Sequence, residues 1–129
     1  MALTVAATVQ ALIAQDPEFL KVLFEEDFPW VDATQFEHGG GRRIKVASAA
    51  TDTVSLEGIT AAGYLFVKSD RQVIVQLTNA QGVDQKVVLG NAADDEGFLL
   101  LVGAYTVVKI ENQSGADAAV VVAYAGNES

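Results

Sequence analysis

Val73-Ile74-Val75-Gln76-Leu77-Thr78 alternates in polarity: Val73, Val75 and Leu77 fall on one face of an extended chain, with Gln72, Gln76 and Thr78 mostly on the other. A period of two in β-branched residues predicts a strand with one buried side. Thr106-Val107-Val108-Lys109-Ile110-Glu111 follows the same rule, with Thr106, Val108 and Ile110 expected to face in and Lys109 and Glu111 out. From Arg42 onward, runs of this kind recur about every 8 to 12 residues, the spacing of sandwiches and barrels. They predict eight strands, near residues 43–47, 53–56, 64–68, 73–78, 85–89, 98–102, 105–111 and 118–124. The links carry turn chemistry, as in Ser69-Asp70-Arg71, Asn79-Ala80-Gln81-Gly82, Gly90-Asn91, Asp94-Asp95-Glu96-Gly97 and Asn112-Gln113-Ser114-Gly115. Links this short imply mainly antiparallel neighbours. The expected fold is therefore mainly β, an antiparallel β-sandwich or jelly-roll, with residues 42–129 as the β domain.

Two runs depart from the one-sided rule. Tyr64-Leu65-Phe66-Val67 and Phe98-Leu99-Leu100-Leu101-Val102 are apolar on both faces, so something must cover the second face. Either the N-terminal segment folds back over it or another subunit does, and the second option is preferred here.

Residues 1–41 differ in kind. They carry Lys21 against seven acids, a net −6, whereas 42–129 carry seven bases against ten acids, a net −3. Val9, Leu12 and Ile13 stand at helical spacing, and Asp16-Pro17-Glu18 has the chemistry of a helix start, with Phe19, Leu20, Leu23 and Phe24 as its apolar face. Glu25, Glu26 and Asp27 at the negative end of such a helix, then Pro29, predict that it stops there. Phe28, Trp30 and Phe36 lie in a stretch without clear period before Gly39-Gly40-Gly41. The segment is thus expected to be a helical or extended arm ending in a glycine hinge.

Composition limits the functional classes. The chain has 129 residues, half of them hydrophobic, enough for one packed domain. Its net charge of −9 repels phosphate backbones, so nucleic acid is not an expected partner. No apolar run approaches the ~20 residues of a membrane helix, and the start of the chain lacks the basic residues of a secretory signal, so neither membrane nor export is expected. There is no cysteine, hence no disulfide, thiolate metal site or thiol nucleophile.

The chemical motifs are sparse. His38, the one imidazole, sits beside Glu37 without the partners that a metal site or an acid–base pair needs. Gly39-Gly40-Gly41-Arg42-Arg43 has the composition of a phosphate cradle, but no strand is read before it and no Lys-Ser or Lys-Thr follows. The plainer reading makes it a hinge whose arginines meet acids on a neighbour. Asp94-Asp95-Glu96 with Asp84 has the oxygen-rich composition of a calcium site, yet the spacing is that of a solvated acidic turn. No Gly-x-Ser-x-Gly elbow is present, and Asn112-Gln113-Ser114 and Asn127-Glu128-Ser129 match glycosylation sequons by chance. We expect no enzyme, catalytic residue, cofactor or metal. The candidate interface residues are Phe19, Leu20, Leu23, Phe24, Phe28, Trp30, Phe36, Arg42, Arg43, Tyr64, Phe66, Phe98 and Leu100.

Gly58-Ile59-Thr60-Ala61-Ala62-Gly63-Tyr64-Leu65-Phe66-Val67-Lys68-Ser69-Asp70, the strand at 73–78, Phe98-Leu99-Leu100-Leu101-Val102-Gly103-Ala104 and the run Thr106 to Asn112 resemble small virion structural proteins of tailed bacteriophages. The likeness covers roughly residues 42–126 and lies in the general pattern of apolar strand, tight turn and Asn-x-Ser-Gly ending, with no diagnostic motif. It implies a β-sandwich or jelly-roll subunit of the virion that decorates or cements a capsid. The implied partners are further copies of itself, as a dimer or trimer, and the major capsid protein or other virion proteins. The other readings are a neck, tail or baseplate component, or a carbohydrate- or receptor-binding module using Trp30 and the tyrosines.

Overall fold

The computed structural model describes residues 6–14, 22–31, 38–56 and 59–127, with side chains from Gly39 onward. Every described element is a β-strand and every pairing is antiparallel. The chain divides into a small unit, Thr4–Gln35, and a larger one that holds Phe36–Ser129.

The small unit contains a two-stranded ribbon. Strand β1 (Ala6–Ala14) pairs with β2 (Val22–Val31) from Ala6 opposite Val31 to Ile13 opposite Phe24. This corrects the helical reading of the arm for Val9, Leu12, Ile13, Leu23 and Phe24, all of which lie on strands. The cause is visible in composition, since Thr8, Val9, Val22, Phe24, Phe28, Trp30 and Val31 all favour extended backbone, and helical spacing over five residues is too short a signal to compete. Pro29 is compatible with a two-stranded ribbon, where each strand has an unpaired side among the described residues. The expected helix start at Asp16-Pro17-Glu18, with Phe19 and Leu20, falls outside the described residues, as does Phe36.

In the larger unit seven strands follow: β3 (His38–Val46), β4 (Thr51–Thr53), β5 (Ala61–Ser69), β6 (Val73–Asn79), β7 (Asp84–Leu89), β8 (Gly97–Glu111) and β9 (Ala118–Asn127). They form one hydrogen-bonded path, β3-β9-β5-β8-β6-β7, with β4 also on β8. The fifteen residues of β8 fold this path into two layers. Its first half pairs with β5, from Ser69 opposite Gly97 to Tyr64 opposite Val102. Its second half pairs with β6, from Leu77 opposite Val108 to Ile74 opposite Glu111, and with β4 at residues 109–111. Register shifts on both sides of Tyr105 mark the corner, because an extra residue bends a strand and increases its twist.

The two strands expected at 98–102 and 105–111 are one: Gly103-Ala104, which has the composition of a turn, is a bend inside β8. Triglycine 39–41 is also strand: Gly39, Gly40 and Gly41 stand opposite Ala125, Tyr124 and Ala123, so a paired strand stands in place of the expected hinge. A Cβ on Gly40 would make ordinary contact with the Tyr124 ring, so space does not require glycine there.

One core lies between the layers. Val46, Leu65, Val67, Val120, Val122 and Tyr124 come from the layer of β3, β9 and β5, and Val73, Val75, Leu77, Leu89, Val108 and Ile110 from that of β6, β7 and the second half of β8. Alternation predicts Val73, Val75 and Leu77 inside, and they are buried, as are Val108 and Ile110. Thr106, expected inside, is exposed at the bulged corner, where its hydroxyl donates to the Thr78 and Asn79 carbonyls. The result is an all-antiparallel β-sandwich.

Its turns behave as their residues require. Gly82, Gly90 and Gly115 have positive φ, and the Asn79 carboxamide oxygen accepts from the Gln81 and Val83 N–H groups. Asn112 and Ser69 are buried polar residues within this frame.

Candidate functional site

The outer face of the β5–β8 layer carries two of the exposed large apolar side chains of the larger unit, Phe98 and Val102. Side chains alternate along each strand, so residues opposite an outward one also face outward. With Phe98 exposed on β8, register places Lys68 and Val121 beside it. Leu100, Phe66 and Ala123 form the next row, and Val102 and Tyr64 the third, where Ala125 opposite Tyr64 is buried. Phe98 is 70% exposed and Val102 58%, and register places them two rows apart on one face with Phe66 and Leu100 between them. Two depressions interrupt this face. One of about 450 Å³ lies among Phe66, Lys68, Glu96, Gly97 and Phe98, and another of about 430 Å³ among Gly41, Arg42, Arg43 and residues 121–123.

Four sequence candidates, Tyr64, Phe66, Phe98 and Leu100, thus come together on adjacent strands. The two runs that are apolar on both faces prove to be neighbours: Leu65, Val67, Leu99 and Leu101 turn inward, and the rest turn out. Partial burial pushes the Tyr64 phenol above its usual pKa. Arg43 is exposed at the end of the Phe98 row, opposite Val121, whereas Arg42 lies on the inward-facing side of β3, opposite the buried Val122. Leu23, Phe24, Phe28 and Trp30 lie on β2 of the small unit. Val102 and Val121 join the surface without having been candidates; alternation with Leu100 and Val120 was the available signal.

The chemical motifs do not assemble. His38 opens β3 opposite Gly126. Asp84 begins β7 and accepts a hydrogen bond from the Thr78 hydroxyl at 2.7 Å, while the exposed Asp94, Asp95 and Glu96 follow the far end of that strand. Among the described residues no group of three or more His, Cys, Asp or Glu side chains is placed to hold a metal ion. Asn112, read as a chance sequon, has its amide nitrogen engaged by two carbonyls within the fold.

One exposed ion pair ties β3 to the approach of β9. Lys45 Nζ stands 3.0 Å from Asp117, whose other oxygen accepts from the Ser48 N–H. The Lys45 hydrogen bond, then the Ser48 bond and the lysine charge, hold the Asp117 carboxyl below its usual range. A carboxyl depressed in the folded state adds stability above its unfolded pKa, and that stability is lost as pH falls through the folded value. Asp117→Asn should therefore lower Tm slightly at neutral pH and have no effect in strong acid, as thermal melts across pH will show. The effect is small because solvent screens the pair.

The class that these features define is an all-antiparallel β-sandwich with an apolar outer face. No family model matches the chain, and no curated protein matches it. Among solved structures it is similar to an oxalate oxidase in complex with the substrate analogue glycolate, with 11% identity and a TM-score of 0.49. The match covers 94% of this chain and 51% of that one, so the chain spans about half the length of that protein.

Proposed function

We propose that this chain is a non-enzymatic virion structural protein that decorates or cements a bacteriophage capsid, associating through its β domain and reaching adjacent subunits with its N-terminal segment. The observation that carries the reading is the outer face of β5 and β8, where Phe98 and Val102 are exposed beside Phe66 and Leu100. Such a surface suits a protein whose working state is an assembly. The small unit supports the same reading, since its ribbon of β1 and β2, with Phe24, Phe28 and Trp30 on β2, offers a second element for contact with a partner.

Cementing follows from mass action. A protein that binds the assembled shell and not the free subunits stabilises the shell by RT ln(1 + [L]/Kd), about 2.7 kcal/mol per site at a hundredfold excess over Kd. Repetition over many sites makes the total large. The full chain should co-sediment with assembled shells and raise their temperature of disruption. Phe98→Asp with Val102→Asp should weaken binding at least tenfold, and so should removal of residues 1–35. Shells that neither bind the full chain nor gain heat resistance would defeat the proposal. Binding confined to one vertex or to the tail, seen by labelled imaging, would move the protein to the neck or tail.

A further inference from the structure

Besides the three-residue β4, three strands of the larger unit have an unpaired side among the described residues: β3, β7 and the first half of β8. Exposed edges template pairing with another chain, and charged side chains normally guard against it. Strand β3 carries Arg42, Arg43 and Lys45, and β7 carries Asp84 and Lys86. Residues Gly97 to Val108 include no charged residue and no proline.

On β8, β5 occupies one side from Gly97 to Tyr105, while β6 joins the other side only at Tyr105. The Ala104 carbonyl accepts from the Ala80 N–H, which closes the free stretch at that end. At the other end Gly97 is pressed against the backbone of Leu89 and Gly90. Between them, from Phe98 to Gly103, every other residue directs its N–H and C=O away from β5 and meets no strand among the described residues.

We propose that this edge is where a second copy of the chain joins, β8 against β8, antiparallel about a twofold axis at Leu100. The sheet then runs β3-β9-β5-β8 of one copy directly into β8-β5-β9-β3 of the other. The edge is self-complementary in this arrangement. Leu100 meets Leu100, and Phe98 meets Val102 on both sides of the axis, so the two most exposed apolar residues of β8 are covered together. For a chain of net charge −9, it is also the edge that brings no charged side chains into opposition. The inference deepens the self-association within the function proposed above.

The chain has no cysteine, so Leu100→Cys introduces a single thiol into the full-length protein. Directly opposed strand residues lie within disulfide reach, at Cα separations of about 4.5–5.5 Å. Mild oxidation should convert most of Leu100→Cys to a covalent dimer, at least tenfold faster than Val88→Cys, whose site on β7 is 58% exposed. Light scattering of the unmodified chain at tens of micromolar should give the mass of two copies. Leu100→Lys, or Val102→Lys should the first fold poorly, should give one copy with an unchanged circular dichroism spectrum. A single-copy mass for the unmodified chain at every concentration, cross-linking no faster than at Val88, or a Leu100→Lys dimer would each overturn the proposal. Shell binding separates the two ideas. A monomer that binds shells removes the twofold edge and leaves the virion reading, whereas a cross-linkable dimer that ignores shells does the reverse.

Discussion

Replacing Asn112 with alanine is expected to cost about 3 kcal/mol of folding stability, roughly 12–20 °C in Tm for a domain of this size. The residue is fully buried at the end of β8. Its amide nitrogen donates to the Val46 carbonyl at 2.9 Å and to the Ala116 carbonyl at 2.7 Å, and its amide oxygen accepts from the Ser114 N–H at 2.9 Å. Its backbone N–H also donates to the Ala50 carbonyl, and its own carbonyl accepts from Ala49. One side chain thus fixes the β8–β9 turn and anchors it to the end of β3. Alanine strips a donor from the Val46 carbonyl in a buried hydrogen bond, which costs more than the bond itself contributes, and leaves the Ala116 carbonyl with the Ser114 hydroxyl alone. Asn112→Asp is a sharper test. A carboxylate cannot donate to either carbonyl, so this variant should be poorly stable at neutral pH. Burial raises the carboxyl pKa in the folded state alone, so the variant should recover stability as pH falls. Thermal melts at two pH values check both expectations.

Leu65→Ala should have a comparable effect, roughly 2–5 kcal/mol, because Leu65 is fully buried on β5 between Leu101 and Tyr124 on the flanking strands. Phe98→Ala removes a larger side chain and should change the stability of the single copy by no more than about 0.5 kcal/mol, since Phe98 is 70% exposed. Denaturant titration at low protein concentration separates the two variants. A cost for Phe98 similar to that for Leu65 would mean that the outer face is covered within one chain, and would remove the main support for an assembly role.

That contrast marks the boundary of what sequence carries. Val73, Val75 and Leu77 announce their shared face because polar residues alternate with them, and the structure buries all three. Tyr64 to Val67 and Phe98 to Val102 hold apolar residues at every position, so periodicity identifies two double-sided strands without saying which side is inner. Their neighbourhood on adjacent strands is likewise beyond reach, because register depends on pairing across some thirty residues of chain or more. Glycines mislead twice, at residues 39–41 and at Gly103: a residue that suits a hinge is also accommodated in a paired strand or at a bulged corner. In the arm, helical spacing over a few residues loses to β-branched and aromatic content.

Because β8 belongs to both layers, the two sheets share a covalent spine and cannot part like the covers of a book. Opening either one drags on hydrogen bonds in the other, which leaves the sandwich few routes to partial opening. Amides of β5 and β6, on opposite sides of the core, should therefore exchange with solvent at nearly the same rate, through one concerted event.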